Sequence, residues 1–248
     1  HRPSGLGEHR LSRYLTAEDY AEVEALVAAL DADAIPGWTL DGMAIGEHAY
    51  AGALRYFAKG NLDGEPLGEA VLRRYLEGAI LTARAYDRLL VGEQPEVVVL
   101  HHGIYSPQGV AAEVCRKRGI RVVTWVVAYR KNCFIFSHDD TYHHTLMTEP
   151  TELWSKIELS PVQRETVTSY LASRADGRMD WMYFHKEGGG DFAGFAKTKG
   201  IDLSKPVVTV LTDVMWDAKL HYPANAFASM KDWIVETIGY FIERTDLE

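Results

Sequence analysis

Cysteine is almost missing from this chain. Cys115 and Cys133 are the two in 248 residues, so a disulfide-stapled secreted scaffold is excluded. Long apolar runs are missing too: no stretch approaches the roughly 18 apolar residues of a membrane span, and no signal-type apolar segment opens the sequence. Positive charge is in deficit, with 26 basic against 35 acidic residues and a net charge of -9, which argues against a general nucleic-acid surface. An anionic ligand must therefore meet a local cation, and Arg130 with Lys131 is the expected spot. The loop over 212–217 has no glycine-rich fingerprint and the chain has no Gly-x-Ser-x-Gly elbow, so neither a dinucleotide or P-loop site nor a hydrolase of that type is supported. No internal repeat is present. These features fit a soluble protein of a reducing cytoplasm.

What is present is enough apolar material, 47% of residues, for one large or two modest domains. The chain is organised around 96–149. Glu96-Val97-Val98-Val99-Leu100-His101 is a continuous apolar run ending in polar residues, the pattern of a strand buried on both faces of a parallel sheet. Ser106-Pro107 predicts a helix start, with Ser106 as the cap, and Arg116-Lys117-Arg118-Gly119 predicts its end. Ile120 to Trp125 then predicts a parallel neighbour, completing a βαβ unit, with Cys115 buried and reduced on the intervening helix.

Upstream, 16–30, 48–59 and 67–91 read as helices, the first with Tyr20, Val23, Leu26, Val27 and Leu30 on one apolar face. Downstream, Ser160-Pro161 opens a helix to about Arg174, and a short helix ends at Gly200. Gly188-Gly189-Gly190 marks a hinge. Residues 205–212 read as a second buried strand and 224–244 as an amphipathic helix. The expected organisation is α/β: a Rossmann-like parallel sheet flanked by helices over 1–187, a linker over 188–204, and the first strand and helix of a second α/β domain over 205–248.

Ligands of open α/β sheets bind beyond the carboxyl ends of the strands. His101 and His102 close the first strand there, and Gly103 permits close backbone approach. Strand alternation turns one of the two histidines away. Tyr105, and Ser106 at the helix start, extend that edge, while Tyr129 and Arg130 close the second strand. Five of the ten histidines lie between His101 and His144. His138, Asp140, His143 and His144 admit three readings: metal ligands, histidines satisfied by the fold, or the lining of a polar cleft holding a sugar or phosphate. Asp213, Trp216 and Asp217 occupy the corresponding loop after the later strand.

Three segments together resemble bacterial capsular polysaccharide biosynthesis proteins. They are His101-His102-Gly103-Ile104-Tyr105-Ser106-Pro107-Gln108-Gly109, the run from Cys133 through Phe136-Ser137-His138-Asp139-Asp140 to His144, and the run from Val214-Met215-Trp216-Asp217 to Phe227. The resemblance covers 41 to the end and implies a two-domain glycosyltransferase of the GT-B kind. It implies acceptor contacts mainly in the first domain, a nucleotide-sugar donor mainly in the second, and no bound catalytic metal or other cofactor. The family's later donor loops have no counterpart in the sequence, so donor binding is expected to be incomplete here.

The expected function of the full-length protein is therefore transfer of an activated sugar to a glycan or glycolipid acceptor during surface polysaccharide synthesis, with no transfer expected of this fragment alone. His101, His102, His138 and Asp140 are the expected catalytic groups. Tyr105, Ser106, Tyr129, Arg130, His143, His144, Asp213, Trp216 and Asp217 are the expected substrate contacts. No nucleic-acid partner and no transmembrane segment are expected, with peripheral membrane association left open. The alternatives are a metal-dependent hydrolase or lyase using 138–144, and a noncatalytic polysaccharide-assembly subunit.

Overall fold

The computed structural model describes residues 7–174, 179–181, 190–217, 220, 226–244 and 246. Its contacts divide the chain into two units. The first is His1–Val126, Phe136–Met147 and Val214–Ala224; the second is Val127–Ile135, Thr148–Asp213 and Asn225–Glu248.

The first unit begins with α1, Ala17–Ala29, started by a capping box: Thr16 Oγ1 accepts from Asp19 N–H while Asp19 Oδ2 accepts from Thr16 N–H at 2.8 Å. Asp19, Val23 and Val27 form its buried stripe. Tyr20 and Leu26, expected on that face, are exposed, because the helix turns Asp19 inward to Arg84 and Arg88 of a later helix. That pairing holds the Asp19 carboxyl well below the usual range, Arg88 contributing most.

Helix α2, Ile45–Phe57, ends where Ala58 takes a left-handed conformation. It packs on α3, Gly68–Glu93, so closely that a Cβ on Gly52 would lie 2.5 Å from the Tyr75 ring. Ile45, Ala49, Ala53, Leu76, Ala79 and Ile80 are fully buried between them and make the centre of the core. Burying side chains of this size removes about 1.5–3 kcal/mol each of unfavourable hydration for the larger ones.

Strand β1, Val97–His101, follows, and then an irregular turn, Tyr105–Gly109, leading to α4, Val110–Lys117. Strand β2, Arg121–Val127, lies parallel to β1, with Val97 opposite Arg121 and His101 opposite Trp125. Strand β3, Phe134–His138, returns on the far side of β2. Its direction is antiparallel, since Ala128 N–H meets Cys133 O at 3.0 Å and Asp139 N–H meets Val122 O at 2.8 Å. Helix α5, Tyr142–Thr148, closes this part. Val98, Leu100 and Val122 pack on the helical core, and Cys115 is buried as expected.

Three sequence expectations are corrected here. The sheet is a small mixed one of three strands, not a wholly parallel one, because the turn after β2 is short enough to make a hairpin. β1 is an edge strand with one open face, leaving Val97 45% and Val99 57% exposed, where burial on both faces was expected. Ser106 does not cap a helix: its backbone is extended (φ -86°, ψ 128°), and α4 starts only at Val110.

The second unit contains α6, Thr151–Ser155, and α7, Pro161–Ser173. α7 begins at Ser160-Pro161 as expected, with Ser160 and Gln163 forming a reciprocal cap. α8, Phe192–Lys199, stops at the left-handed Gly200, and α9, Met230–Ile242, starts at the Ser229 cap. The strand expected over 205–212 is not formed. Residues 206–214 run without a ladder among the described residues, leaving Val208 and Leu211 exposed. Of the expected hinge, Gly188 and Gly189 lie outside the described residues. No described helix is long and apolar enough to cross a membrane.

Candidate functional site

The backbone just past β1 is wound unusually tightly. His102 (φ 63°), Gly103 (φ 72°) and Tyr105 (φ 62°) all occupy the left-handed region. For the two side-chain-bearing residues this costs roughly 1–2 kcal/mol each, strain that clusters at functional sites. His102 N–H holds Trp125 O at 3.2 Å and Gly103 N–H holds His101 O at 2.7 Å. Position 103 admits only glycine comfortably, since a Cβ there would lie 2.5 Å from Thr124 Cγ2.

The turn changes the fate of the two histidines. Regular strand geometry would point them to opposite faces; the left-handed step at His102 brings their ring centroids within 3.7 Å. His101 also lies 4.9 Å from the Trp125 ring. From α5, Tyr142 comes within 5.7 Å of the His102 ring, and His143 stacks nearly parallel to it at 6.5 Å. α5 is held against β2 by Thr124 Oγ1, which donates to Asp140 O at 2.8 Å.

The remaining side of the cluster comes from the segment after 213. Tyr105, 5% exposed, donates its hydroxyl to Asp217 Oδ1 at 2.8 Å. Leu220 packs on Ala51, Ile104 and Tyr105, and Met215 Cβ stands at the position 3.4 Å from where a Cβ on Gly60 would be. Trp216 and Tyr105 each present a ring to the Arg55 guanidinium of α2, with centroids 5.6 and 5.0 Å away.

Electrostatics set the protonation of this cluster. Burial pushes His102 down to about 4, helped by His101, His143 and Arg55 and opposed by Asp217. Burial likewise pushes His143 down to about 4, with Asp217 opposing. Both rings are neutral at pH 7, and His102 Nδ1 is buried without a hydrogen-bond partner among the described residues. A neutral imidazole beside a carboxylate can take a proton and have the resulting cation stabilised.

The structure thus brings together His101, His102, Tyr105, His143, Trp216 and Asp217. It separates the others. His138 accepts from Arg121 Nη2 at 2.9 Å, because antiparallel β3 carries its last residue back to the amino ends of β1 and β2. Asp140 is committed: its Oδ1 accepts from Thr141 N–H at 2.7 Å and from His144 Nδ1 at 2.8 Å. Ser106 lies in the turn without a capping role.

Tyr129 and Arg130 belong to the second unit. There the Arg174 guanidinium covers the Tyr129 ring, Arg130 covers Tyr170, and Arg130 O accepts from Trp181 Nε1. Asp213 is exposed in that unit. With His138 and the Asp140–His144 pair engaged separately, no three His, Cys, Asp or Glu side chains among the described residues converge as metal ligands, and the 138–144 metal site is not assembled.

Two members escaped the sequence reading. Tyr142 carries no signal that sets it apart from the histidines around it. Arg55 sat in a helix read as scaffold, yet it has Ala51, Gly52, Ala58 and Lys59 at helical spacing and so no carboxylate partner along its own face. That isolation was the available signal. No family model, no curated protein and no solved structure matches this chain.

Proposed function

We propose that the chain forms the acceptor-side α/β part of a GT-B-type glycosyltransferase, moving a sugar from a nucleotide sugar to a growing surface polysaccharide. One observation carries the reading: three segments distant in sequence, each part of the resemblance to capsular polysaccharide biosynthesis proteins, meet at His102, His143, Tyr105 and Asp217. They meet beyond the carboxyl end of β1, where α/β sheets hold ligands.

In this reading the acceptor hydroxyl attacks the anomeric carbon as the bond from that carbon to phosphate breaks, and the nucleoside diphosphate leaves with the bonding electrons. The hydroxyl proton passes to the His102 ring, neutral at the working pH. Asp217, already close enough to raise the affinity of His102 for a proton, stabilises the imidazolium as it forms. Tyr105 fixes the carboxylate in place.

The test is sugar transfer by the native polypeptide that carries this sequence, with the activated sugar traced into polymer. His102→Ala and Asp217→Asn are expected to lower kcat by about 100-fold or more, in the range of a lost acid–base group. Full transfer by both variants would remove the mechanism.

A further inference from the structure

Arg55 differs from the other arginines of the helical core. Arg73, Arg74, Arg84, Arg88, Arg116 and Arg118 each pair with a carboxylate within 3.0 Å. Arg55 has no ion pair among the described residues, although the chain carries an excess of acidic groups that could have supplied one. Its guanidinium is instead seated on the faces of Tyr105 and Trp216, which restricts its orientation and leaves its N–H edge unspent. An exposed guanidinium that rests on two aromatic faces and has no ion pair among the described residues is suited to bidentate capture of a planar or tetrahedral oxyanion.

Its surroundings favour that use. His102 and His143 are neutral, so they add hydrogen-bonding atoms without competing charge, and His102 Nδ1 is a buried nitrogen with no partner among the described residues. Asp217 is the opposing group. Its Oδ1 accepts from the Tyr105 hydroxyl. In a protein of net charge -9, a cation held in this way is the kind of local spot an anion requires.

We propose that Arg55, braced by Tyr105 and Trp216, is an oxyanion subsite that binds the diphosphate of a sugar-transfer substrate. The inference rests on the transferase reading for the carrier of that phosphate, which is either the nucleoside diphosphate of the donor or the isoprenoid diphosphate of a lipid-linked acceptor.

The experiment is calorimetric titration of the chain with inorganic pyrophosphate, then with uridine, guanosine and cytidine diphosphates and with farnesyl diphosphate. Wild type is expected to bind pyrophosphate saturably. Arg55→Gln is expected to weaken that binding about tenfold or more, the scale of one charge-assisted contact. Arg55→Lys keeps the charge without the planar fork and is expected to fall between the two. Arg118→Gln, which breaks only the pair with Asp87, is expected to bind as wild type does.

A nucleoside diphosphate binding more tightly than pyrophosphate identifies the donor as the source; farnesyl diphosphate doing so identifies the acceptor. The subsite is overturned if wild type shows no saturable pyrophosphate binding, or if folded Arg55→Gln binds within about twofold of it. Binding that depends on Arg55 in a native polypeptide that transfers no sugar would sink the transferase reading and leave the subsite standing. Transfer that survives Arg55→Gln with unchanged KM and unchanged pyrophosphate affinity would do the reverse.

Discussion

The Tyr105 hydroxyl donates to Asp217 Oδ1 at 2.8 Å across 112 residues of sequence, and this bond ties the strained turn after β1 to the segment after 213. A hydrogen bond to a charged group contributes about 1.5–3 kcal/mol. Tyr105→Phe is expected to lose that much stability in urea unfolding while keeping the ring under Arg55. In a double-mutant cycle with Asp217→Asn the losses are expected to be non-additive by about 1 kcal/mol. Additive losses would mean the two groups do not act on one another.

The neutral histidines predict a pH dependence. Both folded values lie near 4, below the ordinary 6.5, so on acidification the unfolded chain takes up protons before the folded one does. Above about pH 6.5 the pair contributes no pH dependence; between about 6.5 and 4 stability falls as pH falls; below that the contribution levels off. The loss is roughly 1–3 kcal/mol for the pair, discounted for partial exposure. Denaturant midpoints at pH 7.5, 6.0 and 5.0 check this, with His102→Gln/His143→Gln expected to give a flatter profile. An equal slope in both proteins would contradict it.

Gly103→Ala meets two obstacles at once, a φ of 72° and a Cβ position 2.5 Å from Thr124 Cγ2. The expected loss is about 2–4 kcal/mol, the sum of left-handed strain and overpacking. Thr124→Ser removes the clashing methyl while keeping the hydroxyl that holds Asp140 O. The double variant should therefore recover the packing part alone. Failure to recover any stability would show that backbone strain, and not the contact, sets the requirement.

Cys115 is buried and its thiol is pushed up to about 11 by burial, against the pull of Arg116. The thiolate is the reactive form. Iodoacetamide is expected to label the partly exposed Cys133 first and Cys115 only on unfolding, as read by peptide mass mapping. Equal labelling of both in native conditions would mean that α4 opens readily.

Much of the first unit was legible in sequence because its signals are local. Thr16 with Asp19, the apolar spacing of Leu72, Leu76, Ile80 and Ala83, and the strand, helix and strand around Cys115 each lie within one element or its neighbour. What was not legible depends on partners elsewhere. The run around Val97–Leu100 reads as doubly buried, yet sequence does not reveal that β3 would turn back and leave β1 at an edge. Residues 207–211 have strand composition and, among the described residues, no strand to pair with.

The site divides the same way. His101, His102 and Tyr105 could be named from their place after a strand, whereas His138 could not be told from His143 until the direction of β3 was known. Arg55 was hidden because its significance lies in rings contributed by Tyr105 and Trp216, 50 and more residues away.

The central claim is that His102, His143, Tyr105 and Asp217 work as one centre from which His138 is apart. The direct measurement is sugar transfer by the native polypeptide carrying His102→Ala, Asp217→Asn or His138→Ala, each checked for folding. The account predicts a loss of about 100-fold or more in the first two and near wild-type transfer in the third. Loss in His138→Ala with transfer retained in the other two would contradict it.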